Sequence, residues 1–213
     1  MKGALVELMP ALGASQPNVI VFQFNPETLR HSWTQPQPKG GSNPLAVQGG
    51  PGETFSFNLA MDVTDQLALE AHDPQRIDAQ ANGIYSRISA LEMLLFPVKP
   101  GPGGGAPSGG RRAVPAAVVP SVLFVWGDGR IVPVRVTSLT ITEKLFDAAL
   151  NPTHADAQIE LRVLTREELK WVGQLKTLVT AAYDYTQTKR EVGAAFNTTS
   201  AAQAFTLRPF QGS

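Results

Sequence analysis

Between Val132 and Ile141 the apolar residues change parity: Val132, Val134 and Val136 occupy even positions, and then the apolar set moves to Leu139 and Ile141. Successive side chains of a strand point to opposite faces, so such a slip turns the second half of the strand over unless the backbone absorbs an extra residue. Arg130–Thr142 is therefore read as one strand with a bulge or bend near Thr137-Ser138, and a bulged strand twists and curves its sheet. The neighbouring runs agree. Val122–Trp126 is β-branched and aromatic, and Gly127-Asp128-Gly129 offers the positive-φ positions of a tight hairpin. In Ala155–Leu164, the residues Ala155, Ala157, Ile159, Leu161 and Val163 alternate with Asp156, Gln158, Glu160 and Arg162. One face is apolar and the other wet. The stretch Pro120–Thr165 specifies a strongly curved antiparallel sheet buried on one side, as in a small barrel or a bent sandwich.

The rest of the chain supplies more strands and the helices that cover them. Ala4–Leu8 is a short strand; Asn18–Phe24 is a second, stopped by Asn25-Pro26 because Pro cannot donate to a ladder. Thr28–Trp33 follows. Glu53–Val63 is the clearest strand, with Phe55, Phe57, Leu59, Met61 and Val63 alternating with Thr54, Ser56, Asn58 and Asp62. Each such apolar side chain contributes about 1.5–3 kcal/mol when buried, so this face needs a cover. A helix over Gly83–Phe96 provides one, with Ile84, Ile88, Leu91 and Leu95 at helical spacing. Asp65–Asn82 is polar and acidic and reads as a loop with a helical turn. Thr165 and Glu168 form a capping box that opens a helix to about Lys189, its stripe made by Leu169, Val172, Leu175, Val179 and Ala182 with Leu178 and Tyr183 on a flank. Segments 35–52 and 97–120 are crowded with Pro and Gly, which excludes helices and central strands; they read as a long loop and a flexible surface insertion. The tail Phe196–Ser213 is small and polar apart from Phe205, Leu207 and Phe210. The expected organisation is a sheet domain over 1–165 carrying the 97–120 insertion, then a C-terminal helix and tail over 166–213. The class is mainly β with flanking helices, α+β.

Composition narrows the function. Eighteen basic and eighteen acidic residues cancel, so no net charge draws the chain to nucleic acid or an anionic membrane. Cysteine is absent, which removes disulfides and thiol chemistry and leaves metal binding to His, Asp and Glu. The three histidines, His31, His72 and His154, stand far apart. Residues 1–15 are too short and too polar for a signal peptide or a membrane span, so cytoplasmic synthesis without export is expected. His154 and Asp156 share a strand face, but no nucleophile joins them. Asp62, Asp65, His72 and Asp73 match no ligand spacing, and a solvated acidic loop accounts for them. Gly103-Gly104-Gly105 neither follows a strand nor opens a helix, as a phosphate cradle must. Arg111-Arg112 is too small a patch for nucleic acid. Trp33, Trp126 and Trp171 are read as core or interface residues. The expectation is a structural or binding role, without catalysis or a cofactor.

The order of several features resembles a known family. Phe24-Asn25-Pro26 follows an early strand; the alternating strand Thr54–Val63 and a helix come next; then Pro120 to Trp126-Gly127, the curved strand, Phe146, and Pro152 with Ala155 before the last strand. This resembles the tube-like domain of contractile injection systems, and in particular the baseplate-hub adaptor of phage-tail-like particles, over roughly residues 3–166. The resemblance implies a phage tail-tube fold, with antiparallel sheets closing into a barrel or sandwich beside a helix. It also implies a ring of six copies around a channel, joining a trimeric spike to the tube. The implied partners are further copies of the chain, the spike trimer, an inner-tube or tube-initiator protein and other baseplate proteins, with no nucleic acid, membrane, metal or cofactor. Assembly is expected in the cytoplasm, as part of a particle that is intracellular or released. Phe24, Asn25, Pro26, Trp126, Gly127, Pro152 and Ala155 carry the resemblance, and with His154 they are the candidate assembly-interface residues. The polar faces around Thr54, Ser56 and Asn58 and around Asp156, Gln158 and Glu160 are candidate channel or surface faces.

The chain departs from the family at two points. Many hub adaptors continue into a LysM module, where this chain has a helix and tail. An Arg that the family often carries before the last strand is replaced by His154, which makes any contact there weaker or pH-dependent. Two other roles fit the same residues: a tube-initiator or inner-tube subunit, and a ligand-binding or effector β-barrel carried by the particle.

Overall fold

The computed structural model describes residues 1–8, 18–36, 49–97, 119–172 and 175–204, with side chains to residue 198. The expected loop over 35–52, the insertion over 97–120 and the end of the tail fall largely outside these residues. Seven strands form one antiparallel sheet: β1 Ala4–Glu7, β2 Asn18–Val21, β3 Leu29–Thr34, β4 Gly52–Asp62, β5 Val122–Val125, β6 Ile131–Phe146 and β7 Pro152–Val163. Their spatial order is β2-β1-β5-β6-β7-β4-β3. The helices are α1 Thr64–Leu67, α2 Pro74–Asn82, α3 Tyr85–Met93, α4 Arg166–Leu169 and α5 Lys176–Ala204. The fold is α+β, a mainly antiparallel sheet with flanking helices.

The parity change in β6 is a bulge. The register of β6 on β7 shifts between Val136 and Ser138, so that Val132, Val134 and Val136 before it and Leu139 and Ile141 after it face the same core. The sheet rolls up accordingly. Phe124 on β5 stacks on Phe57 of β4 with centroids 5.6 Å apart, although the two strands are three places apart in the order. In a flat sheet that separation is about 14 Å. Phe22, just after β2, reaches Phe57 at 5.4 Å across the same concave face.

The roll does not become the closed barrel that the resemblance implied, because β2 and β3 remain the two edges. Side chains and a helix occupy the seam instead of ladder bonds. The Asp62 amide donates to Gln23 Oε1 at 2.8 Å, and Arg87 of α3 donates to the same oxygen at 2.6 Å and to the Asp62 carbonyl at 3.3 Å. Ile84, Ile88 and Leu91 plug the core behind them.

Three expected elements are corrected. The segment 65–82 is more than a loop with one helical turn: α2 begins with Asp73 accepting from the Gln75 amide at 2.8 Å, has Pro74 in its first turn and stops at Gly83. In α3 the buried residue after Leu91 is Leu94, and Leu95 is exposed. The last amides bond three residues back, Leu94 to Leu91 and Leu95 to Glu92, and this tighter winding turns Leu94 inward. The C-terminal helix expected over 165–189 is two helices, a single-turn α4 with the capping box intact and an α5 that continues to Ala204. Alanines past residue 193 favour that continuation. Leu169, Val172 and Val179 are buried with Leu123 and Leu164, and Leu175, Ala182 and Tyr183 pack against them, but Leu178 faces out.

Candidate assembly surface

The convex side of the sheet is polar across four strands. The register aligns Arg30, Ser56, Glu160 and Ser138 in one row, Asn58, Gln158 and Thr140 in the next, and Ala60, Asp156 and Thr142 after that. A last row joins Asp62, His154 and Lys144. The alternation of β4, β6 and β7 produces this face, since every residue opposite the core set lands on it. Lys144 pairs with Asp156. His154 Nδ1 is 3.3 Å from Asp62 Oδ2, and its Nε2 is 3.9 Å from Asp156 Oδ1. The Asp62 carboxyl is held below the usual range, first by its hydrogen bond with Thr64 and further by His154, with burial opposing.

The segment from Phe24 to Thr28 stands along this face and turns it into an open groove of about 960 Å³, reaching Lys144 and Asp156 at the far side. Phe24 and Pro26 line it. Asn25 fixes the segment to the N-terminus: its Oδ1 accepts from the Gly3 amide at 2.9 Å and its Nδ2 donates to the Met1 carbonyl at 3.1 Å. Trp126 lies on the opposite, concave side against Phe22 and Phe124. Gly127, at φ 65°, turns the β5–β6 hairpin, which is closed by the Trp126 amide on the Arg130 carbonyl at 2.8 Å. Ala155 is fully buried in the core. Of the eight candidate residues, Phe24, Asn25 and Pro26 are brought to the groove, with His154 in the polar row at its edge. Trp126 and Gly127 lie apart from them.

Pro152 belongs to a feature that the sequence reading passed over. The β6–β7 hairpin runs to the pair Phe146–Pro152, and its turn end is fastened to the α2–α3 corner. The Ile84 amide donates to the Pro152 carbonyl at 2.9 Å, and Asn151 Nδ2 donates to the Ala81 carbonyl at 3.1 Å. Asp147 builds the turn: Oδ1 accepts from the Ala149 and Asn151 amides, both at 2.8 Å, and the carboxyl is held below the usual range first by the bond from the Asn151 side chain and then by these amides. Around that rigid turn three apolar side chains are bare: Leu145 is 71% exposed, Phe146 51% and Leu150 79%. Leu145 and Leu150 also have positive φ, 51° and 66°, a costly conformation for bulky side chains. The signal in the sequence was three large apolar residues clustered around the polar turn residues Asp147 and Asn151.

A second missed group lies at the other end of β4. Glu53 is 4% exposed, and its Oε1 is 2.8 Å from His31 Nε2 and accepts a hydrogen bond from Arg190 of α5. Arg190 stacks over Trp33 at 4.7 Å, and Arg130 lies over Phe55 at 5.2 Å. The Arg130 guanidinium is pushed below its ordinary value, chiefly by burial, with Glu53 opposing and Arg190 adding to the shift. Nearby, Thr186 is buried, donating to the Ile131 carbonyl at 2.8 Å and accepting from the Ile131 amide at 3.0 Å. These contacts seat α5 against the β5–β6 hairpin.

The acidic residues weighed as ligands have separate tasks: Asp65 accepts from Gln23 Nε2 at 2.9 Å, and Asp73 caps α2. Among the described residues no helix is long and apolar enough to cross a membrane. Comparison of the chain with protein-family profiles finds no match, and neither does comparison with curated proteins.

Proposed function

We propose that the chain is a structural ring component of a contractile injection system, the adaptor that joins the central spike and baseplate hub to the inner tube. The observation that carries the reading is the β6–β7 hairpin, a rigid turn that holds Leu145, Phe146 and Leu150 in water. Apolar side chains clustered on a braced projection are what an assembly contact buries. The four-strand polar face adds support. A sheet packed on one side and lined with Ser, Thr, Asn and Gln on the other suits a subunit that turns one face to a channel and the other to its own core. The role needs no catalysis and no cofactor. Its partners are further copies of the chain in a ring, expected to be hexameric, the spike trimer, a tube or tube-initiator protein and other baseplate proteins.

The reading is tested by electron microscopy of particles from a producing strain with and without this chain. Loss of tubes, or tubes without spikes and baseplates, is the expected result. Complete particles without it would overturn the adaptor role. The groove of about 960 Å³ would then move a ligand-binding protein carried by the particle to the front.

A further inference from the structure

The seam of the rolled sheet holds an open cavity of about 350 Å³ between the β2 edge and α3. Ile20, Leu59, Met61 and Ala90 give it an apolar floor, and Gln66, Gln75 and Arg87 give it polar walls. Two observations set a hydrogen-bonding demand there. The first comes from register. β1 and β2 pair Ala4 with Val21 and Val6 with Val19, and the Phe22 amide donates to the Gly3 carbonyl at 2.9 Å. Bonded and non-bonded pairs alternate along an antiparallel ladder, so Asn18, Ile20 and Phe22 direct their backbone groups at β1, while the amides and carbonyls of Val19 and Val21 point away from it. Among the described residues, none of these four groups has a partner. The second is Gln66, 5% exposed on the cavity wall, whose amide oxygen has no hydrogen-bond partner among the described residues. Buried polar groups are almost always paired, so an orphan beside an open strand edge marks a place for the donors of a ligand.

We propose that the seam binds an extended, uncharged peptide segment of a partner protein, about three residues long, added to the sheet as a strand beside β2. At about 3.4 Å per residue, three residues span Val19 to Val21. Such a strand directs alternate amides and carbonyls at β2 and the intervening ones to its other side, and the carboxamides of Gln66 and Gln75 line the cavity to receive them. The side chain opposite Ile20 falls on the apolar floor, which fits a small aliphatic residue. A purely apolar ligand would leave the edge and Gln66 unpaired. Arg87 calls for no anion: it bonds Gln23 and the Asp62 carbonyl, and the carboxylates of Asp62 and Asp65 act on it. The added strand supplies ladder bonds at the gap where the sheet stays open.

The probe is the capped peptide acetyl-Thr-Val-Thr-amide, and the control is the same peptide N-methylated at its backbone amides. In the chain alone, Val19 and Val21 should exchange their amide hydrogens freely, and saturating peptide should slow both by about tenfold or more. The methylated control, which has the same side chains but cannot donate, should bind about tenfold more weakly, as expected for lost hydrogen bonds. Gln66→Leu should weaken peptide binding by roughly fivefold and leave Tm unchanged or higher, because the orphaned amide oxygen stabilises nothing in its own chain. Equal binding of the two peptides, or no protection of Val19 and Val21 at any peptide concentration, overturns the proposal. So does protection of these two amides in the chain alone that grows with its concentration, since a second copy then occupies the edge.

Discussion

Glu53 shares its parity on β4 with Phe55, Phe57 and Leu59, so strand alternation alone sends a carboxylate into the core. A buried acid needs cations or donors, and that much is legible in the sequence. Which groups answer it is not, because Arg130 and Arg190 come from distant parts of the chain and meet Glu53 only when the sheet rolls and α5 docks. Replacing Glu53 with Gln keeps the volume but strips the charge from the hydrogen bonds to Arg190 and His31. A loss of about 1–3 kcal/mol is expected from urea denaturation, and an unchanged midpoint would dismiss the anchor. Glu168 acts through pH. Two bonds from Arg162, at 2.6 and 2.9 Å, lead the causes that bring its carboxyl from 4.5 to about 2, with the Thr165 cap adding to them. The folded value lies below the unfolded one, so this contribution is complete above about pH 4.5 and fades as the pH falls toward 2. Glu168→Gln should therefore lower stability at neutral pH and flatten part of the acid limb in a urea titration between pH 5 and 2.

Among the elements, those with a strict period were readable and those held by caps or contacts were not. Alternation placed β4 and β7, and the broken alternation placed the bulge of β6. Helix α2 escaped notice because only Ala79 is buried along it; its evidence was the Asp73-Pro74 start and the Gly83 stop, which carry no apolar pattern. Among the described glycines, Gly83 marks the most exacting joint. It has φ 60°, and a Cβ there would lie 2.2 Å from the Pro152 carbonyl oxygen, where the α2–α3 corner meets the turn end of the β6–β7 hairpin. Gly83→Ala should cost about 1–3 kcal/mol or more, since strain and clash coincide. The amides of Ile84 and Asn151 should then lose exchange protection first; uniform protection in the variant would show that the corner yields elsewhere.

At the scale of the molecule, the roll of the sheet depends on rings from β4, β5 and the end of β2 meeting across the concave face, a long-range outcome that no local pattern contains. The polar convex face was predicted strand by strand, but its continuity over four strands follows only from the order β6-β7-β4-β3. The hairpin tip is separate from that core. Replacing Leu145 and Leu150 together with Ser should therefore leave the unfolding free energy within about 0.5 kcal/mol, as for other surface changes, and reduce self-association by sedimentation. A large loss of stability would show that the tip serves the fold of its own copy. Helix α5 extends this separation of core from reach. Arg190 ties it to the buried Glu53, the side chains from Glu191 to Thr198 are exposed, and the helix runs on to Ala204. Fourteen residues at 1.5 Å each carry its backbone about 21 Å past that buried carboxylate, so the end of the helix stands well away from the core that anchors its middle.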